Sequence, residues 1–192
     1  HTISLAHFLV GDIAEVCGMN ATRIKERGVP VNGGGMRAVE NEDITECLIR
    51  FENGAIGTIG TSRVGVGRKL GLGYEIHGTK GSLFYTQERM NELKLYRHTD
   101  PDREKGYKTV YIGPEHRGYG AFFGLAGIGL GYNDQKTIEA HDLIMAVATG
   151  QQVQPDVRFA YGVNKVIDAI DLACQEHRWV QVSQFNTEVD SR

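Results

Sequence analysis

The stretch TECLIRFENGAIGTIGTSR, Thr45 to Arg63, decides the fold. Two runs with β-type composition flank Asn53-Gly54. Asn-Gly is the strongest short hairpin signal, because both central residues of a type I′ turn need φ above zero. The expectation is a two-residue turn flanked by Glu52 and Ala55, with an antiparallel strand on either side.

The same pattern continues outward. YEIHGTKGSLFYT, residues 74–86, predicts a second hairpin whose turn is bounded by Gly78 and Gly81, and ELKLYR (92–97) and YKTVYIG (107–113) add two strands around the polar stretch HTDPDREKG. Upstream, Asp12 to Ile24 reads as an imperfect strand. Glu26 to Asn41, with GVPVNGGGM inside it, reads as a surface loop. Ile3, Leu5, Ala6, Leu9 and Val10 recur at helical spacing and stop at Gly11. After a glycine- and aromatic-rich segment at 114–133, an amphipathic helix is expected from Asp134, as N-cap, to Thr149, with Gly150 as its stop. A further helix starts near Asp156 and carries Val163, Val166, Ile167, Ile170, Ala173 and Cys174 on one face. WVQVS (179–183) reads as a closing strand, and the tail beyond Gln184 is expected to fray.

Strands in the middle and helices at both ends define an α+β domain with a large, mostly antiparallel open sheet and helices on one face. A single domain over residues 1–192 is expected, with residues 1–11 helical, 12–113 mainly sheet, 114–133 a glycine-rich loop, 134–178 helices and 179–183 the closing strand. The helices are too few to cover both faces, so the open face is expected to meet a partner subunit.

Composition narrows the function classes. Of 192 residues, 41% are apolar and 23% charged, and the net charge is −3, the balance of an ordinary globular protein. The isoelectric point near 6.2 gives no electrostatic reason to expect nucleic acid or an anionic membrane. No apolar run approaches the roughly 20 residues that span a bilayer, and a cytoplasmic location is the expectation. Cys17, Cys47 and Cys174 are odd in number and never in C-x-x-C spacing, so they read as buried free thiols. Glycine occupies 25 positions, about twice the usual share of roughly 7%. The chain opens at His1 inside an apolar helical pattern, which leads us to expect that the natural chain continues upstream.

Several chemistries lack their motifs. No G-x-G-x-x-G cradle for a dinucleotide pyrophosphate is present. Gly73 to Lys80 superficially resembles a phosphate loop, but Gly81 follows Lys80 where Ser or Thr is needed. The seven histidines are scattered, and Glu139 and His141, two apart on a helix, face different ways, so no metal site is expected. There is no G-x-S-x-G elbow and no pair of carboxylates that announces a glycosidase.

The ordered segments HTISLAHFLVGDIAEV, FENGAIGTI, EIHGTKGSLFY, ELKLY, IGPEHRGYGAFF, GLGYND and AIDLACQEHRWVQV resemble the C-terminal domain of the glucose-fructose oxidoreductase and inositol dehydrogenase (Gfo/Idh/MocA) family. The resemblance covers almost the whole chain. It implies a dihydrodipicolinate-reductase-like C-terminal fold, with a Rossmann domain that carries NAD or NADP absent from this chain, so that no residue here is assigned to the cofactor. It further implies hydride transfer between that cofactor and a secondary hydroxyl of a cyclic sugar or inositol, and a homodimer or homotetramer built through the sheet face. The alternatives are a non-catalytic oligomerisation module and a sugar lyase or hydrolase that uses NAD transiently. By itself the chain is expected to be inactive.

Family members open this domain with an aspartate and, four residues later, a histidine, which His1 matches; many carry a further aspartate where this chain has Ser4. An imidazole titrates near working pH and suits removal of a hydroxyl proton as hydride departs. Arg63 and Arg68 bracket TSRVGVGRK, where relatives bring side chains to substrate, and guanidinium groups can bond several sugar hydroxyls; otherwise they are solvated charges at a strand end. His116, Tyr119, Tyr132 and Asn133 are the other candidates for a polyol, by stacking or hydrogen bonding, against a plainer role in packing and turns.

Overall fold

The computed structural model describes residues 1–30, 34–122, 125 and 127–186. Its elements are α1 (Thr2–Leu9), β1 (Ile13–Ala21), β2 (Glu26–Gly28), β3 (Met36–Ala38), β4 (Ile44–Phe51), β5 (Ile56–Ser62), β6 (Gly73–Gly78), β7 (Gly81–Thr86), β8 (Glu92–Arg97), β9 (Lys108–Tyr111), α2 (Tyr132–Thr149), α3 (Val157–Glu176) and β10 (Val180–Gln181). They gather into two compact units, one of His1–Val66 with Gln154–Arg192 and one of Gly67–Val153. The α+β class and the antiparallel pairing are as expected, and the ladders form two four-stranded sheets and a short ribbon.

The first unit is built on a sheet of order β10-β1-β4-β5. In β4 the alternation is regular: Cys47, Ile49 and Phe51 are buried while Glu46, Leu48 and Arg50 are exposed, because successive side chains point to opposite faces. α3 packs across β1 and contributes Val166, Ala169, Ile170, Ala173 and Cys174 to the core, where they meet Val16, Ile49 and Val180. Val16, Val166 and Val180 are fully enclosed, and burying each contributes about 1.5–3 kcal/mol. The Asp156 carboxylate accepts from the Phe159 N–H at 2.8 Å and so caps the first turn of α3. Ile167, expected on the buried face, is half exposed. α1 lies against α3, and its Ile3, Ala6 and Val10 pack on the core.

The 45–63 hairpin differs from its expectation by one residue. Phe51, rather than Glu52, is the last flanking residue: its N–H donates to the Ala55 carbonyl, and its own carbonyl accepts from Gly54 N–H. The loop is Glu52-Asn53-Gly54, and Gly54 alone has positive φ, +87°. This is the three-residue loop with a left-handed last residue, not a type I′ turn. The Asn53 side chain explains the choice. Its Oδ1 accepts from Ala55 N–H, and its Nδ2 donates to the Val10 carbonyl at the end of α1.

Glu26 to Asn41 is exposed as expected, but it is not a plain loop. β2 and β3 form a two-stranded ribbon with Arg27 opposite Arg37; residues 31–33 lie outside the described residues. The ribbon has a footing in Asp43, only 5% exposed, whose carboxylate accepts from Arg23 and Ile24 N–H and from the Arg27 guanidinium. The closing strand is shorter than 179–183. It covers Val180–Gln181, and a 3₁₀ turn follows at Val182–Phe185. The tail from residue 187 onward lies outside the described residues.

The second unit carries a sheet of order β6-β7-β8-β9. Its first turn is Thr79-Lys80, with Gly78 paired to Gly81 as expected. The resemblance of Gly73 to Lys80 to a phosphate loop is therefore one of letters, since these residues form a strand and a hairpin turn. α2 starts three residues earlier than expected, with Gly131 as its N-cap. Asp134 is its third residue, not its N-cap, and its carboxylate accepts from the Gly131 N–H at 2.7 Å. Gly150 ends it in the left-handed conformation. No residue of α2 is buried, and Leu143, Ile144, Met145 and Val147 are exposed, so the amphipathic face expected of it is not covered by the described residues.

Candidate functional site

The seven residues singled out in the sequence divide between the units: His1 and Arg63 in the first, and Arg68, His116, Tyr119, Tyr132 and Asn133 in the second. His1 is the exposed N-cap of α1. Its backbone carbonyl accepts from the Ser4 hydroxyl at 2.8 Å and the Leu5 N–H at 3.0 Å. Those bonds hold the backbone and leave the imidazole without a hydrogen bond among the described residues.

One turn and a half further along α1, His7 was not a candidate, yet it is the more enclosed imidazole. Its side chain is 8% exposed; Nδ1 lies 2.9 Å from Asp12 Oδ1, the ring stands edge-on to Phe159, and Nε2 is buried without a partner among the described residues. Asp12 therefore fixes the ring. A lone histidine in an apolar helix carries no local sign of such an arrangement.

Arg63 follows directly on β5. Its N–H donates to the Asp43 carbonyl, and its side chain is exposed, with no ion pair among the described residues. Arg68 is not the free cation the sequence suggested. Its guanidinium meets Glu88 at 2.6 Å. The Lys69 N–H and the Arg68 guanidinium together hold the Glu88 carboxyl below the usual carboxylate range. With one face committed to Glu88, Arg68 first orders its own loop and has only its remaining N–H groups to offer a ligand.

His116 and Tyr119 come together. Their rings stand edge to face with centroids 6.4 Å apart; His116 Nδ1 accepts from the Gly113 N–H at 3.1 Å. Tyr119 opens the 3₁₀ turn Tyr119–Ala121; Phe123, Gly124 and Ala126 of this segment lie outside the described residues. Tyr132 and Asn133 form the first turn of α2. The Tyr132 ring is exposed, with the Lys136 ammonium 5.7 Å from its centroid. The Asn133 backbone carbonyl accepts from the Thr137 hydroxyl, and the residue is exposed.

Cys47 and Cys174 are buried and unbridged, and Cys17 is half buried. Far apart in sequence, the first two meet around Gly18, where an added Cβ would lie 2.9 Å from Cys47 Sγ and 3.3 Å from Cys174 Sγ. Burial pushes the Cys47 thiol up to about 12. Among the described residues no group of three or more His, Cys, Asp or Glu side chains is placed to hold a metal ion. No described helix is long and apolar enough to cross a membrane.

Every strand pairing in the described residues is antiparallel, so there is no strand-helix-strand crossover whose helix N-terminus cradles a pyrophosphate. These residues do not fit a dinucleotide by themselves. Residues 1–84 match the GFO/IDH/MocA C-terminal domain model, the family that the ordered segments resemble. A levoglucosan dehydrogenase of Pseudarthrobacter phenanthrenivorans is 35% identical over 97% of this chain and 50% of its own length. Among solved structures, an NAD binding oxidoreductase from Klebsiella pneumoniae is 40% identical with a TM-score of 0.86, over 95% of this chain and 48% of that one. A levoglucosan dehydrogenase in complex with NADH and L-sorbose is 36% identical with a TM-score of 0.89, over 95% and 48%. The chain spans about half the length of the relatives it matches.

Proposed function

We propose that this chain is the substrate-binding and assembly part of an NAD- or NADP-dependent oxidoreductase that acts on a secondary hydroxyl of a cyclic sugar or cyclitol. The observation that carries this reading is the 35% identity to a levoglucosan dehydrogenase, spread over 97% of the chain. It is supported by the solved relative that holds NADH and L-sorbose.

The nicotinamide, held by a nucleotide-binding half, supplies the hydride chemistry. In the first unit His1 is the residue for the proton. Its imidazole is exposed and unengaged among the described residues, and a neutral ring accepts the hydroxyl proton as hydride leaves the same carbon. In the second unit Tyr119, His116, Tyr132 and Asn133 offer ring faces and hydrogen-bonding groups suited to a polyol, with Arg68 a secondary contact because Glu88 already engages it. Arg63, exposed and without an ion pair among the described residues, can offer its guanidinium to a hydroxyl or a carboxylate. We assign the interface between copies to the outward face of the first sheet, where Met19, Leu48 and Ile56 are exposed on strands whose opposite face is core.

The test is a panel of anhydrosugars, aldoses and inositols with the full-length protein, recording NADH and NADPH formation. One ring-closed substrate should reduce the cofactor, and His1→Gln should lower kcat by about a hundredfold or more with little change in sugar binding. Absence of net reduction with every member of the panel overturns the reading. Full activity of the His1→Gln enzyme removes His1 from the chemistry.

A further inference from the structure

Asn91, just ahead of β8, makes an unusual pair of bonds. Its Nδ2 donates to the Leu130 carbonyl, and its Oδ1 accepts from the Leu130 N–H, both at 2.9 Å. A side-chain amide thus reproduces the two-bond exchange that a neighbouring strand residue would make. Leu130 is 5% exposed, so water competes poorly for these bonds. Gly129 leaves room for the amide, since a Cβ there would lie 2.7 Å from Asn91 Nδ2. The Asn91 backbone also takes part: its carbonyl accepts from the Ile112 N–H at 3.0 Å.

Each bond leads directly into a candidate segment. Beyond Leu130 come Gly131, held by Asp134, and then Tyr132 and Asn133. Beyond Ile112 come Gly113, bonded to His116 Nδ1, and then Tyr119. One residue is the common footing of both stretches.

We infer that Asn91 is a positioning residue for substrate binding, holding the His116–Tyr119 and Tyr132–Asn133 segments in one fixed geometry without touching the ligand. This rests on the sugar-oxidoreductase reading above. Its chemistry is orientation: hydroxyl contacts set for one arrangement of a ring weaken steeply when their backbone support shifts by an ångström.

The test uses the full-length enzyme with its sugar. Asn91→Asp keeps the shape and the acceptor for Leu130 N–H but loses the donor to the Leu130 carbonyl. Gly129→Ala blocks the amide from the other side. Each should lower Tm modestly, through the lost buried bond or the added methyl, and raise KM for the sugar by about tenfold or more while kcat and KM for the cofactor stay near wild type, and the double variant should be little worse than either single one, because both remove one contact. Unchanged sugar KM in both variants overturns the inference, as does a fall in Tm with both KM values rising together, which marks a merely structural residue. A wild-type enzyme that turns over no sugar instead defeats the functional reading on which the inference rests.

Discussion

The Asn53 side-chain amide donates to the Val10 carbonyl at 2.8 Å, across a sequence separation of 43 residues. Its other end accepts from Ala55 N–H at 3.0 Å, so one side chain closes the β4–β5 loop and ties it to the end of α1. Each bond is worth about 1 kcal/mol. Asn53→Ala should therefore lower unfolding free energy by about 2 kcal/mol, read as a fall in the urea midpoint with unchanged m. Gly54→Ala, forced to hold φ of +87°, should cost about 1–2 kcal/mol in the same assay.

Gly18 sits where the thiols of Cys47 and Cys174 converge. Gly18→Ala should destabilise by about 1–3 kcal/mol, the usual cost of overpacking, because its methyl would meet Cys47 Sγ at 2.9 Å and the Glu46 carbonyl oxygen at 3.1 Å. Adding Cys47→Ala removes the nearest of the three obstacles, the third being Cys174 Sγ at 3.3 Å, and should return part of the loss. Chemical denaturation of both variants would show it; a double variant weaker than the sum of the singles contradicts this packing.

Asp43 gives the fold an acid limb. The N–H of Ile24, first among its donors, and then Arg23 and Arg27 hold its carboxyl below the ordinary value of 3.8. A carboxyl lowered on folding stabilises above its unfolded pKa, and that contribution fades as pH falls through the folded one. Asp43→Asn should thus be less stable than wild type at neutral pH, and the gap should narrow steadily below pH 3.8. Thermal melts across pH 2–7 test the sign, and a gap that widens in acid excludes it.

Thiol labelling should follow burial. With its pKa near 12, Cys47 is ionised in roughly one molecule in ten thousand at pH 8, and thiolate is the reactive form. Cys17, half buried, should react with maleimide first, and Cys47 only on unfolding. Mass mapping of the labelled peptides reads the order directly.

Local chemistry was legible in the sequence; distant partners were not. Gly11, Gly54, Gly150 and the Asp156 cap announced element ends because each acts within a few residues of itself. The turn at 52–54 was misjudged by one position because Asn53 answers to Val10, far behind it. Arg68 looked free because Glu88 is 20 residues on. Asp134 was read as a cap because its reach back to Gly131 shows only once the turn is built. His7 and Asn91 escaped notice for the same reason: their roles come from Phe159 and Leu130, brought to them by the fold. The family's order of segments carried the sugar reading, whereas periodicity alone ended at an antiparallel α+β fold.

The first unit is written in two pieces of chain, His1–Val66 and Gln154–Arg192, with all of Gly67–Val153 between them. β1, β4 and β5 are therefore synthesised well before α3, whose Val166, Ala169, Ile170, Ala173 and Cys174 complete their core. At about 5–20 residues per second, translation of the intervening stretch leaves that apolar face uncovered for roughly 5–20 s. The second sheet has every strand it needs by Tyr111. On the ribosome the inserted unit is thus able to finish first, and the interval before α3 emerges is when a nascent-chain chaperone has something to hold.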